Sequence, residues 1–203
     1  MQRCSGHDEE PQWRAGAGFS GTSTVIVFGD RSGDKNADLD ELGASVTLER
    51  KLSKRLTLSF SVGAVYAGQM RLPDFGNFFD VRGPALGFGL SGLLVEQSGA
   101  IPFVMVDGNF AGSVLFNQES PIYALDLRVG VAAGWSFFGW LTPYLVGRAF
   151  GGPVFYRSFL GDDSHHYQFG VGVSFALPRH WDLLIEAAPL GEQRAIIAAG
   201  YSF

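Results

Sequence analysis

The stretch Val129–Gly147, VGVAAGWSFFGWLTPYLVG, decides the fold. Its 19 uncharged residues lie between Arg128 and Arg148, enough for a membrane-spanning helix. But Gly130, Gly134, Gly139, Gly147 and Pro143 are poor helix formers. The large apolar side chains recur at every second position on each side of a break at Phe138–Trp140. That period is a strand's, so the segment reads as two strands and a tight turn.

The same period extends outward in both directions. Tyr123, Leu125, Leu127, Val129, Val131, Ala133, Trp135 and Phe137 alternate with Ala124, Asp126, Arg128, Gly130, Ala132, Gly134 and Ser136. Leu56–Met70, Tyr167–Leu177 and Glu192–Phe203 repeat the pattern. Soluble strands rarely keep strict alternation for so long. Marked this way, about ten strands emerge: 14–30, 40–52, 55–70, 82–96, 100–116, 121–136, 141–156, 165–177, 180–189 and 191–203. Longer links at 31–39, 71–81 and 157–164 gather at one end. The turns at Ser53-Lys54, Gln97–Gly99, Phe138–Trp140 and Pro178–His180 gather at the other, with both ends of the strand array. The expected class is all-β, an antiparallel up-and-down β-barrel of ten strands, with eight as the second choice. Residues 13–203 form that single domain. Residues 1–12, MQRCSGHDEEPQ, read as a disordered polar segment with no apolar core of a secretory signal.

Two barrels share this pattern, a soluble one with the apolar parity inside and a transmembrane one with it outside. The other parity separates them. A solvated face carries Lys, Glu, Thr and Gln, yet its central positions here are mostly Gly, Ala and Ser. Its charges nearly balance: Arg14, Lys51, Arg128, Arg148 and Arg194 against Glu49, Asp107, Asp126, Asp182, Glu186 and Glu192. Balance is what an enclosed interior requires, because unpaired buried charge is costly. Aromatics agree. Trp13, Trp135, Phe137, Trp140, Trp181 and Phe203 fall at the short-turn end, and Tyr66, Phe116, Tyr123, Phe155 and Tyr167 toward the other, as two interfacial belts would.

The ending Tyr201-Ser202-Phe203, with apolar residues at alternate positions back to Ala195, resembles the last strand of bacterial outer-membrane β-barrels. Leu56–Gly68 and the strand–Gly rhythm are similar to small OmpA/OmpW-type barrels, with no single family assignable. The resemblance implies residence in the bacterial outer membrane, contact with its lipid and lipopolysaccharide, and reading of the Phe203 strand by the barrel-assembly machinery.

Charged residues are only 17%, the net charge is −5 and no basic run is present, which argues against a nucleic-acid partner. Cys4 is the only cysteine, so no intrachain disulfide forms. No cofactor and no metal site is implied. Gly87-Phe88-Gly89-Leu90-Ser91-Gly92 spells a dinucleotide fingerprint, but inside an alternating strand with no helix after it. Asp34, Asn36, Asp38 and Asp40 make an oxygen-rich stretch in the presumed loop Asp30–Glu41, read as an acidic surface loop. Asp162, Asp163, His165 and His166 cluster in a longer loop, where an Asp–His pair at a rim can activate water. Three functions follow: a structural or surface-interaction barrel with a charge-paired, largely plugged lumen; a narrow pore for ions or small polar solutes; or a rim hydrolase. An enzyme is not the expected reading. Oligomeric state is left open.

Overall fold

The structure is a computed structural model that describes residues 12–29, 35–72, 77–157 and 159–203. The polar segment 1–12 and Asp34 therefore lie outside the described residues, apart from Gln12. Thirteen strands form: β1 (Trp13–Gly29), β2 (Lys35–Ser53), β3 (Leu56–Leu72), β4 (Asn77–Asp80), β5 (Gly83–Val95), β6 (Phe103–Leu115), β7 (Ile122–Gly134), β8 (Leu141–Gly151), β9 (Val154–Tyr156), β10 (Phe159–Asp163), β11 (Tyr167–Ala176), β12 (Trp181–Gly191) and β13 (Gln193–Ser202).

Ten long strands close an antiparallel barrel in the order β1-β2-β3-β5-β6-β7-β8-β11-β12-β13, with β13 back on β1. The two ends of the ring meet through Trp13 N–H donating to the Phe203 carbonyl at 3.0 Å and Phe203 N–H donating to that of Trp13 at 2.8 Å. The short turns are tight enough to need unusual backbone: Arg179 and His180 sit at φ 62° and 65°, and Phe138-Gly139 at 56° and 73°. Paired left-handed residues match the twist of a two-residue hairpin.

Alternation places the apolar parity outside. Phe60, Phe88, Leu127 and Val129 are all more than half exposed, while the side chain of neighbouring Arg128 is 14% exposed. The aromatics of both belts are exposed as well. An exterior this apolar is stable only against lipid, which excludes the soluble alternative.

Three departures from strict alternation matter. Residues 141–156 are not one strand. Gly152 and Pro153 interrupt it, because Pro153 lacks a ladder N–H and Gly152 passes so close to the Leu125 carbonyl that a Cβ would lie 2.0 Å from its oxygen. Second, Tyr66 is an extra residue in β3, since Gly43 pairs Val65 and Leu42 pairs Ala67. The bulge reverses the parity beyond it, so Met70, outward by simple alternation, is fully buried. Third, Asn36, Asp38 and Asp40 are not in a loop. They stand exposed on β2, Asp38 opposite Arg71 and Asp40 opposite Gln69.

At the long-loop end the ring changes size. The β12–β13 hairpin stops at the register Ser23↔Gln193. Above it β10 takes its place beside β1, with Ile26↔Asp163 through Gly29↔Leu160. β9 continues β8, pairing β7 on one side and β10 on the other. The upper ring is thus β1-β2-β3-β4-β6-β7-β9-β10, eight strands, with β4 on β3 and the Arg82–Phe116 bridge joining the chain after β4 to the end of β6, and the 157–164 link is largely the β9–β10 hairpin. Inside this neck Ile26, Phe28, Leu39, Met70, Val81, Leu115, Ile122, Val154 and Tyr156 pack as one buried apolar cluster. An eight-stranded ring is about the size that side chains alone fill.

Candidate functional site: the charged lumen

Below the neck the inward parity carries ions, and they sort into three layers. At the short-turn end Arg14 on β1 faces Glu49 directly across the β1–β2 ladder and donates to it at 2.7 Å. The same guanidinium reaches past β13 to Asp182 on β12, its Nε at 2.8 Å. Gly200 of β13 makes this crossing possible: a Cβ there would lie 2.4 Å from the Arg14 Nε. Lys51 shares the inward parity of β2 near this layer.

The middle layer centres on Glu186, 4% exposed. Arg148 donates to both its oxygens, at 2.5 and 3.0 Å, and to Gln168 at 2.9 Å. The Tyr144 hydroxyl donates to Glu186 at 2.8 Å. Again a glycine lies beneath: Gly172, paired with Tyr144 on one side and Glu186 on the other, would place a Cβ 2.3 Å from the Tyr144 ring. Asp107 and Arg148 both fold over Gly130, where a Cβ would approach them to 2.6 and 3.0 Å.

In the upper layer Glu192, 2% exposed, takes a two-pronged pair from Arg128, both bonds 2.8 Å. Arg128 also donates to Asp126 and lies over the Phe150 ring, 4.6 Å from its centroid. Gln168 donates to Glu192 at 3.2 Å. Bidentate, charge-assisted bonds are the strong kind, and removal of one partner from a buried pair costs about 3–5 kcal/mol.

Every charge of the predicted lumen set therefore lies on the inward parity, and most are paired. Four participants escaped sequence reasoning, and a fifth, Asp163, belongs to the lumen rather than to a rim loop. Glu41 and Asp163 also point inward, Asp163 accepting from the Thr24 hydroxyl at 2.6 Å. Tyr144, Gln168 and Thr24 complete the networks. Glu41 continues the parity of Glu49, and Tyr144 that of Arg148, so both were within reach of simple alternation. With Glu41 and Asp163 added, eight inward carboxylates among the described residues face five lumen cations and a sixth, Lys35, on the inward parity at the neck, so the lumen is acidic rather than balanced. The small inward residues serve these layers. Gly200, Gly172 and Gly130 let side chains of the same wall lie across the neighbouring strand.

The other loop candidates are not assembled. Asp162 accepts from the N–H groups of Asp163 and Gly152, at 2.8 and 3.4 Å. His165 contacts the Ser164 hydroxyl at 2.8 Å and stands edge-on to Tyr167, and His166 is exposed. Asp163, held by Thr24, and His165 are engaged with different partners. Among the described residues no group of three or more His, Cys, Asp or Glu side chains is arranged to hold a metal ion. The glycine-rich stretch Gly87–Gly92 lies wholly in β5, where Gly87 and Gly89 make room for the hydroxyls of Ser61 and Ser59.

A cavity of about 550 Å³ runs through the lumen, from Arg14 and Glu49 to the underside of Ile26, Leu39 and Ile122. Its wall is uneven. β1, β2, β3 and β5 present Gly, Ser, Ala and Thr along most of their length, with Arg14, Glu41 and Glu49 among them, while β7, β8 and β13 add Asp126, Arg128, Arg148 and Arg194.

No protein-family model matches the chain, and no curated protein matches it in sequence. Solved structures do. An outer membrane channel from Pseudomonas putida F1 superimposes with a TM-score of 0.56 at 10% identity, covering 99% of this chain and 100% of that one. The β domain of a Bordetella autotransporter, BrkA, gives 0.54 at 12% identity, covering 96% and 100%. Read with the lipid-facing exterior, these matches give the chain its class: it has the fold of the bacterial outer-membrane β-barrels, a closed ten-stranded barrel with its apolar side out.

Proposed function

We propose that this protein is an outer-membrane barrel whose lumen is closed at its outer end, with a structural or surface-interaction role rather than that of an open pore. The observation that carries the reading is the eight-stranded neck. Met70 and Val81 are fully buried there, and Ile26, Phe28, Leu115 and Ile122 are at most 3% exposed. Water and ions cross an apolar plug of this density poorly, because each ion would shed its hydration shell against side chains that offer no replacement. The ion layers beneath brace the wider ring from within. The belts around Tyr66, Tyr123 and Tyr167 on one side and Trp135, Trp140 and Trp181 on the other set its depth in the bilayer. This reading puts the long loops at the cell surface, beside lipopolysaccharide. It also has the outward row Ala195, Ile197, Ala199, Tyr201 and Phe203 read by the assembly machinery.

The test is single-channel recording in a planar bilayer, with protein shown to be folded by heat-dependent gel mobility. The expected result is a silent, inserted barrel. Discrete steps from the wild type would favour the second reading, a narrow pore, which the lumen cavity supports. The excess of inward carboxylates makes such a pore cation-selective.

A further inference from the structure

The upper ion layer contains a guanidinium that differs from its neighbours. Arg14, Arg128 and Arg148 each hydrogen-bond a carboxylate. Arg194 bonds no side chain among the described residues, and its Nε is buried without a partner. Asp126 leaves one oxygen, Oδ1, in the same condition. Both residues line the same cavity and lie close enough to interact electrostatically. Glu41, on the other side of β1 and like Arg194 in register with Thr22, is close enough to feel Arg194 too. Directly above stand Ile26, Leu39, Leu115, Ile122 and Val154, the underside of the apolar neck, lining that cavity.

We propose that this end of the lumen is a binding site for a small zwitterion with an apolar side chain, a molecule of the amino-acid class. Its carboxylate would accept from the Arg194 guanidinium. Its ammonium would donate to the Asp126 carboxylate, with Glu41 as a second acceptor. Its side chain would rest against the apolar roof. A mostly non-polar chamber with a few converging polar groups is the usual form of a small-molecule site. A guanidinium and a carboxylate that are each short of hydrogen-bond partners gain most from a ligand that supplies both complements at once. A simple anion fits less well, since Glu41, Asp126, Asp163 and Glu192 outnumber Arg128 and Arg194 here. A simple inorganic cation leaves Arg194 and the roof unused. Entry would be from the short-turn end, along the small-residue wall.

The test is calorimetric titration of the folded full chain in detergent, with L-leucine as the probe. Three truncated probes accompany it: glycine without the side chain, 4-methylpentanoate without the ammonium, and 3-methylbutylamine without the carboxylate. Leucine binding is expected, with each truncated probe at least ten-fold weaker. Arg194→Gln and Asp126→Asn should each weaken leucine at least ten-fold, while Arg55→Gln, on an exposed turn at the opposite end, should not change it. No leucine binding by the folded wild type, amine binding equal to leucine, or full affinity in Arg194→Gln would each overturn the site. If the variants do not fold, the probe series on the wild type still decides. The inference rests on the closed roof proposed above. Conductance by the wild type would remove the roof, whereas failure of leucine to bind a silent barrel would remove this site and leave that reading intact.

Discussion

The neck and the body of this barrel share β1, β2, β3, β6 and β7 and are filled in opposite ways. Above the β12–β13 hairpin the ring has eight strands and an interior of Ile, Leu, Val, Met and aromatic side chains. Below it the ring has ten strands, layered ion pairs and a cavity of about 550 Å³. The difference teaches that ring size selects the filling. Eight strands leave a space that compact apolar side chains occupy completely. Ten strands leave more than such side chains span, and long Arg and Glu side chains can cross it only if each finds a partner. The chain makes the change of size by one device, a hairpin that ends early and another, β9–β10, that takes its place.

The sharpest way to break the comparison is to remove the neck. Replacing residues 153–164 with a short glycine-containing turn deletes β9 and β10 while keeping the ten-stranded body. Wild-type silence in a planar bilayer should become steady, cation-selective conductance. A folded deletion variant that remains silent would show that the ion layers also seal the body.

A second test asks whether the body depends on its pairs as the neck depends on its packing. Glu192→Ala leaves Arg128 with Asp126 alone in a buried setting. It should cost about 3–5 kcal/mol in urea unfolding from lipid vesicles. A loss below 1 kcal/mol would mean the upper layer is solvated well enough to stand unpaired.

In the neck, Ile122→Ala removes a 2%-exposed side chain from the apolar cluster. The expected loss is about 2–4 kcal/mol in the same assay, whereas the Glu192→Ala loss should be partly recovered by adding Arg128→Met, which removes the orphaned charge. No recovery in that double variant would erase the distinction between the two regions.

The smallest effect concerns the glycines beneath the ion layers. Gly172→Ala would push the Tyr144 ring from its place over β11 and break its hydrogen bond to Glu186. It should cost about 1–3 kcal/mol, and Tyr144→Ala in the same chain should recover part of that. Gly108→Ala, on the outer face of β6 with nothing within 4 Å of its Cβ position, should change stability by less than 0.5 kcal/mol. Equal losses at the two positions would show that glycine serves the strand in general rather than the crossing side chain.

How far the site was legible follows from these particulars. The lumen charges, the two aromatic belts and the lipid-facing parity were all readable, because in-out alternation is a strict consequence of strand geometry. Glu41 and Tyr144 were readable by the same rule and were passed over. The neck left a fainter mark. Val25-Ile26-Val27-Phe28, Leu115-Phe116, Ile122-Tyr123 and Val154-Phe155-Tyr156 are apolar on both parities at the outer ends of their strands. Continuous apolar runs signal burial on two faces, but they do not say against what. Met70 gave no such signal, since a single extra residue at Tyr66 reversed its side.

Hydrophobic period, aromatic placement and charge parity thus carry the class of this protein, its orientation in lipid and the membership of its lumen. These are properties of a chain that alternates whatever its neighbours do. Pairings, by contrast, depend on register: which arginine meets which carboxylate, which glycine lies beneath, which guanidinium stays unbonded. So does the exchange of one hairpin for another that narrows ten strands to eight. Register joins residues far apart in sequence, Arg14 with Asp182 and Ile26 with Asp163, and no local pattern encodes such a meeting.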